Sequence, residues 1–143
     1  MPNQLRIKGC KAALKEEGIK ISSISGYDFS VKNGYTETLL LLQNKLKPTA
    51  IFAMSNTIAL GCMTALKEYN LRIPGDISLI AFDDHPYLDY LSTPLTCIAQ
   101  PVNDICKIAV RLIFSLINNE EIKSEQVFLQ PTLKFRESVK QLN

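Results

Sequence analysis

The sequence has few residues of the types that bind metals, phosphates or reactive substrates. It contains one histidine, His85, and its four cysteines form no CxxC pair, so the ligand spacing of a zinc site is missing. His85 has no serine or cysteine nucleophile at a recognisable spacing, and Gly26, Gly34 and Gly61 stand singly rather than in a phosphate-binding loop. We therefore expect no metal, no cofactor and no enzymatic activity.

Long runs of charge and long apolar runs are also missing. Lys and Arg number 16 against 14 Asp and Glu, and no long block of like charge occurs. We interpret the basic stretches Lys45–Lys47 and Arg136–Lys140 as solvated surface rather than as a nucleic-acid binding track. No uncharged run is long enough to cross a bilayer and no apolar stretch of secretory length opens the chain, so we expect neither membrane insertion nor export.

The cysteines favour a reducing compartment. Cys62 and Cys106 each stand alone within an apolar pattern, where a thiol behaves as a small hydrophobic side chain. Disulfides are not expected from such isolated positions, so the sequence indicates the cytoplasm.

What is present is the composition of a globular domain. The 143 residues are 46% hydrophobic and 21% charged, which suffices for one hydrophobic core and is unlike a disordered chain. We expect one compact domain.

Hydrophobic periodicity and stop signals divide the chain into alternating helices and strands. Gly18 supplies a left-handed stop for the first helix, and Pro48 prevents the second from continuing. The first predicted elements are a helix over Leu5–Gly18, a short strand with Ile19, Ile21 and Ile24, a helix from Asn33–Gly34 to before Pro48, and a strand over Thr49–Met54. The later ones are a helix from Ile58 to Leu66, a strand over Ile77–Phe82, a loop or helical turn over His85–Pro94, an extended stretch over Leu95–Gln100, a helix over Val102–Asn118 and a strand over Val127–Phe135.

The alternation of helix and strand predicts an α/β fold, with a parallel sheet and helices on both of its faces. The apolar runs Thr49–Met54 and Ile77–Phe82 are typical of strands buried on both sides. The last strand contains Pro131, which favours a position at the edge of the sheet.

Polar or aromatic residues follow three of the predicted strands. Asp28–Phe29 comes after the first, Ser55–Asn56 after the second and Asp83–Asp84 after the third. Ligands of parallel α/β sheets bind beyond the carboxyl ends of the strands, so we expect these residues to open onto one edge.

Several blocks of the sequence, in this order and spacing, resemble the LacI/GalR family of transcription regulators over nearly the whole chain. They are Pro48–Ala53, Ser55–Asn56, Ala59–Gly61, Ile73–Asp84, Thr93–Thr96, Gln100–Pro101 and Phe135–Ser138.

The resemblance implies a periplasmic-binding-protein-like type I fold, in which two Rossmann-like subdomains close around a sugar, sugar phosphate, nucleobase or other small metabolite. It implies that residues 1–143 form a partial effector-binding domain, with about 1–100 and 127–140 in the C-terminal subdomain. The helix at about 101–120 would pack in the other subdomain. The family's DNA-reading segment is not recognised in this chain, so DNA contact is expected only through a preceding domain.

The resemblance also assigns ligand contacts. Arg6 matches an arginine of the first helix, whose planar fork suits carbonyl, hydroxyl or carboxylate groups, and the alternative is a surface arginine. Phe29 matches an aromatic residue that stacks on the ligand ring, and the alternative is a core phenylalanine. Gln100 matches an amide near the ligand, or serves only the crossing strand.

The strand ends at Ser55–Asn56 and Asp83–Asp84 supply the remaining candidates. Ser55 and Asn56 stand where the family shows a longer Asn–Asp-like pair, so each is a candidate for ligand contact or for helix N-capping. Asp83 matches the aspartate that accepts hydrogen bonds from neighbouring ligand hydroxyls. Asp84 fits better as a cap of the following turn.

Other classes of protein remain open at this point. Asp83–Asp84 could form the acidic magnesium pocket of a response-regulator-like domain, but Leu95–Gln100 offers no lysine after a later strand. A periplasmic sugar-binding protein shares the fold and should carry an export signal. A truncated dimerisation or scaffold module without ligand is a third alternative.

The helix Val102–Asn118 leads to a prediction about assembly. If its partner subdomain is absent, its apolar face is exposed, and an exposed patch of that size favours association. We expect a homodimer or a larger assembly, and poor ligand affinity for the chain alone.

Overall fold

The predicted alternation of helices and strands is present in a computed structural model, which describes residues 2–19, 21, 26–120 and 126–141. The helices are α1 (Pro2–Glu16), α2 (Val31–Gln43), α3 (Asn56–Glu68) and α4 (Val102–Ile117), with a short 3₁₀ helix at Pro86–Asp89. The strands are β1 (Ala50–Ala53), β2 (Ser78–Phe82), β3 (Thr96–Ala99) and β4 (Thr132–Lys134).

The four described strands form one sheet in the order β1-β2-β3-β4. The first three are parallel, as predicted, with Ile51 opposite Leu79 and Ala81 opposite Cys97. β4 pairs antiparallel with β3 directly after Pro131 and lies at the edge, so the proline's missing donor costs no ladder bond. The carboxyl ends of β1, β2 and β3 consequently lie side by side. They form the carboxyl edge of the sheet, which is distinct from the lateral edge occupied by β4.

One face of the sheet carries the hydrophobic core. α3 packs against β1 and β2, and α2 packs against α3. The core consists of apolar side chains that are at most 6% exposed: Leu42, Ala53, Ala59, Cys62, Ala65, Leu66, Ile77, Leu79, Ala81, Leu88, Leu95, Cys97 and Ala99.

The opposite face of the sheet is only partly covered. Phe52, Ile80, Phe82 and Ile98 are half-buried, so the prediction of strands buried on both sides is wrong for this face. Among the described helices α3 is the one in extensive contact with the sheet, and it covers the other side.

The ends of α1 and α2 show which local signals were decisive. Gly18 adopts φ +67° and the N–H of Ile19 bonds back to the Leu14 carbonyl, which is the predicted left-handed stop. α2 begins earlier than predicted, at Val31, because the Ser30 hydroxyl caps it by accepting the Asn33 N–H at 3.0 Å. The strand predicted from Ile19 to Ile24 lies mostly outside the described residues.

α2 and α3 pack with their backbones in close contact, which explains why glycines stand inside both helices. A Cβ at Gly34 would lie 2.3 Å from the Ile58 carbonyl oxygen. A Cβ at Gly61 would lie 2.1 Å from the Val31 carbonyl oxygen and 2.5 Å from the Tyr35 nitrogen. Close packing therefore overrides the helix-breaking tendency of glycine at these positions.

α4 is the element least connected to the rest. It matches the predicted helix to within one residue, but none of its residues is buried. Ile113 is 55% and Leu116 is 63% exposed, which confirms the predicted exposure of the helix's apolar face. Cys106 on this helix is exposed, whereas Cys62 is buried in the core.

We predict that Gly61→Ala destabilises the protein by on the order of 3 kcal/mol, because the new methyl group is forced against the backbone of α2. The free energy of unfolding in urea measures the effect. Gly9→Ala is the matched control, since a Cβ at Gly9 meets nothing within 4 Å and alanine favours the helix by about 0.5–1 kcal/mol. Equal effects of the two substitutions would contradict the close packing of α2 on α3.

Candidate functional site

Asp83 lies at the carboxyl end of β2 in an unusual backbone conformation. Its φ of +73° is in the left-handed region, which few residues other than glycine, asparagine and aspartate adopt. The Asp83 N–H donates to the Ile98 carbonyl at 3.0 Å, which holds this turn against β3. The carboxylate is 33% exposed and therefore accessible from the edge of the sheet.

Two polar side chains converge on the Asp83 carboxylate. The Gln100 side-chain amide, which follows β3, donates to Oδ1. Arg6, on the first turns of α1, places Nη2 3.9 Å from Oδ2, which is an ion-pair distance but too long for a hydrogen bond. Oδ2 therefore faces the cation without being hydrogen-bonded to it.

Aromatic rings and a carbonyl fix the position of the Arg6 guanidinium. Nη1 donates to the Met54 carbonyl at 2.6 Å, immediately after β1. The guanidinium carbon lies 3.8 Å from the ring centroid of Phe82 and 5.9 Å from that of Phe29. A planar cation against an aromatic face is attracted by the negative centre of the ring. These contacts hold the guanidinium at the carboxyl edge of the sheet and leave some of its N–H groups available to a ligand.

The loop before α2 is tied to the start of α3. The Thr57 hydroxyl donates to the Phe29 carbonyl and shares a hydrogen bond with the Ser55 hydroxyl. Ser55 is 6% exposed and caps α3 by accepting the Ile58 N–H at 3.1 Å. Ser55 thus occupies the capping role that the sequence left open, and Asn56 is half-buried at the first position of α3.

The structure brings Phe29 and Asp83 to the edge predicted from the strand order, together with Arg6 and Gln100, which the resemblance assigned to the ligand. Their ligand roles remain predictions. An open cavity of about 380 Å³ adjoins this cluster, between the sheet end and α4; its lining includes Phe82, Gln100, Ile105 and Phe128. The cluster combines a carboxylate acceptor, an amide, a cation with free donors and an exposed ring face, which together suit a hydroxyl-rich ring.

Asp84 does not join this cluster, and it does not cap the following turn as predicted. The 3₁₀ helix has His85 at its N-terminal boundary and no side-chain cap. The Asp84 carboxylate instead pairs with Arg136, 2.8 Å from Nη2, and with Lys134. The attraction of Lys134 and Arg136 explains why the Asp84 side chain is not available to cap the turn.

The interpretation of the stretch 136–140 as solvated surface was wrong for Arg136. Its side chain is 10% exposed and donates to the Leu95 carbonyl at 2.7 Å as well as to Asp84 and Asp89. Ser138, two residues on, is fully buried and its hydroxyl accepts the Thr96 N–H at 2.8 Å. The tail is therefore part of the packed structure.

Burial and hydrogen bonding act in opposite directions on the pKa of Asp84. Burial raises it, but the hydrogen bonds from Lys134 and Arg136 outweigh burial and lower the pKa to about 2, from 3.8. The same contacts with Asp89 and Asp84 raise the pKa of Arg136 above its usual value against the effect of burial. Both partners are thus charged at neutral pH.

Sequence reasoning missed two residues of this region. Phe82 was assigned only to a buried strand, although it stands at the strand end directly before Asp83. Arg136 lies within the block Phe135–Ser138 that resembles the family, and a cation at such a position could have indicated a structural ion pair. His85 lies outside the cluster, with its ring 4.5 Å from that of Tyr87.

The fold and the site define a class of protein: an α/β domain with a mostly parallel sheet and a cluster of polar and aromatic side chains, suited to binding a small ligand, at the carboxyl ends of its strands. The family model of the periplasmic binding protein-like domain matches residues 2–139, and the chain belongs to this family. Within the described residues, no helix has the length and apolar character needed to span a membrane.

Relatives narrow the class to LacI-type regulators. The ribose operon repressor of Haemophilus influenzae is 36% identical over 138 residues, which cover 95% of this chain and 42% of the repressor. The chain therefore spans about two fifths of the length of that relative. The resemblance to LacI/GalR regulators inferred from the sequence is confirmed.

Solved structures of LacI-type regulators have the same fold as this chain. The lac repressor dimer bound to operator and the anti-inducer ONPF superposes with a TM-score of 0.87 at 28% identity, over 96% of this chain and 48% of that one. A LacI family regulator from Enterococcus faecium with bound ribose has a TM-score of 0.86 at 30% identity, over 96% and 52%. These relatives are transcription regulators rather than enzymes.

The ion pairs of Asp84 predict a pH-dependent stability. Because the pKa is lowered on folding, the contribution is present above pH 3.8 and is lost as the pH falls through about 2. We expect Asp84→Asn to be less stable than wild type at pH 7 by on the order of 1 kcal/mol, with the difference shrinking between pH 4 and pH 2.

Urea unfolding across this pH range measures the difference. Asp104→Asn, at the exposed pair with Lys107 on α4, is the matched control and should keep the wild-type profile. A difference between Asp84→Asn and wild type that stays constant down to pH 2 would show that the ion pairs do not set the pKa.

Proposed function

We propose that this chain is the small-molecule sensing part of a LacI-type transcription regulator, and that it acts without catalysis. The observation that carries the proposal is the Asp83 carboxylate, which is accessible, held by Gln100 and faced by Arg6 at 3.9 Å. A carboxylate in this position accepts hydrogen bonds from two neighbouring hydroxyls, as a sugar presents them. The ribose bound by the Enterococcus faecium relative supports the same class of ligand.

Each remaining residue has a role in this proposal. Arg6 donates to a ring oxygen, hydroxyl or phosphate of the ligand while Phe82 supports its guanidinium. Phe29, which is 43% exposed, offers its ring face to the apolar side of the ligand. Gln100 fixes the Asp83 carboxylate, and Ser55 and Asn56 lie at the start of α3 with Asn56 the more accessible of the two.

The cluster supplies one wall of a binding cleft. We propose that residues about 1–100 and 127–140 form one subdomain and that α4 packs against a second subdomain, since α4 has no buried residue here. In this proposal operator binding belongs to another part of a longer cytoplasmic regulator, because the chain spans only 42% of the Haemophilus repressor. The whole regulator is proposed to act as a homodimer.

A thermal-shift screen of the whole regulator with sugars, sugar phosphates and nucleobases tests the proposal. A ligand at about 100 times its Kd stabilises the folded state by about 2.7 kcal/mol. We expect Asp83→Ala to abolish the shift, because the acceptor for the hydroxyls is gone. Asp83→Asn should weaken it while keeping a residue that tolerates the left-handed backbone.

Asp76→Ala is the matched control, because Asp76 pairs with Arg72 in an exposed turn away from the cluster. A ligand that stabilises wild type and Asp83→Ala equally would place the binding site elsewhere. The absence of any shift across the three ligand classes would contradict the sensing function.

The exposed helix α4 predicts how the isolated 143-residue chain behaves. We expect it to bind a hydrophobic dye and to elute above its monomer mass of 16.0 kDa, because large apolar side chains on α4 are in contact with water. The whole regulator, in which α4 is proposed to be covered, is the control and should bind less dye per chain. A monomeric chain without dye binding would contradict this arrangement.

A further inference from the structure

Arg136 forms an ion pair with Asp84, the residue next to Asp83 of the proposed ligand site. We propose that Arg136 is a positioning residue for ligand binding: it fixes Asp84, and through the shared peptide the left-handed backbone of Asp83, so that the Asp83 carboxylate faces Arg6 and Gln100. This inference rests on the proposed function of the cluster. It assigns a role to a residue that does not touch the ligand.

The guanidinium of Arg136 is a rigid support. Nη2 donates to Asp84 Oδ1 at 2.8 Å, Nη1 donates to the Leu95 carbonyl at 2.7 Å, and Nε donates to Asp89. A planar fork bound in three directions, with a side chain 10% exposed, has no freedom to follow a moving carboxylate. Asp84 is therefore held at a fixed place.

A fixed Asp84 constrains Asp83. The two residues share one peptide group, and the other side of Asp83 is held by β2 and by its N–H bond to Ile98. Aspartate tolerates a left-handed backbone better than most non-glycine residues, but the conformation is still disfavoured, so contacts on both sides of Asp83 are needed to hold it there. Arg136 supplies that constraint on the C-terminal side, and the φ of Asp83 decides where its carboxylate points.

Lys134 contacts the same carboxylate but cannot replace Arg136. Its side chain is 53% exposed, against 10% for Arg136, and an ammonium is a point charge on a flexible stem. Lys134 therefore adds charge to the pair without fixing its direction. Lys134→Met becomes the natural comparison for loss of charge alone.

The backbone of the tail is anchored independently of the Arg136 side chain. The Arg136 N–H donates to the Thr96 hydroxyl at 2.9 Å, and the buried Ser138 hydroxyl accepts from Thr96 and donates to the Leu79 carbonyl. Substitution of the guanidinium therefore leaves the tail in place. A change at Asp83 can then be attributed to the lost ion pair.

The test compares Arg136→Met, Arg136→Lys and Lys134→Met in the whole regulator. Crystal structures of the ligand-free variants give the φ of Asp83, and calorimetry gives the Kd of the effector found in the screen. We expect Arg136→Met to move φ out of the left-handed region and to raise Kd at least about tenfold, or about 1.4 kcal/mol of binding free energy. Arg136→Lys should recover little, and Lys134→Met should keep both φ and Kd close to wild type.

Asp84→Ala removes both the charge and the acceptor for Arg136 and keeps the bonds of Arg136 to Leu95 and Asp89, so this variant tests the inference if Arg136→Met does not fold. An Asp83 φ that stays near +73° in these variants overturns the inference, and so does a changed φ with unchanged Kd. If the screen finds no effector, the proposed function fails, whereas the φ of Asp83 still tests the support by Arg136.

Discussion

Two neighbouring carboxylates at the end of β2 bind different partners, and the arrangement of the site depends on this division. Asp83 turns toward Arg6 and Gln100, whereas Asp84 turns toward Arg136 and Lys134. Adjacent carboxylates with a common orientation would repel each other. Asp83 has a left-handed backbone, and each of the two side chains has its own partners. One strand end thereby serves a ligand-facing edge and an internal ion-pair network at once.

The cluster depends on segments that are far apart in the chain. Arg6 comes from α1, Phe29 from the loop before α2, Asp83 from the end of β2 and Gln100 from the end of β3. The parallel register of β1, β2 and β3 aligns the strand ends, and the packing of α2 on α3 through small residues brings the Phe29 loop to Thr57. A change in the strand register or in the packing of α2 on α3 would separate the side chains that surround the Asp83 carboxylate.

Most of the fold was predictable because its signals are local or periodic. The buried runs, the Gly18 stop and the amphipathic period of α4 each fix an element within a few residues of chain. The start of α2 at Val31 was not predicted, although the Ser30 cap is local, because Gly34 inside this helix is explained only by the approach of α3. The burial of Arg136 was not predictable either, since its counter-ions Asp84 and Asp89 are 52 and 47 residues away in sequence. The site positions came from the family resemblance, and the contacts among them came from the structure.

The accessibility of the cluster bears on how the proposed sensor works. A carboxylate that is 33% exposed beside an open cavity of about 380 Å³ buries too little of a small ligand to bind it tightly from one side. The same cavity is bordered by Ile105 of α4, whose helix presents apolar side chains to solvent. A surface that covers α4 would therefore also close this cavity, which Phe82 and Gln100 line on the side of the cluster. Burial of the helix and enclosure of the ligand would then be coupled, and the free energy of one would contribute to the other.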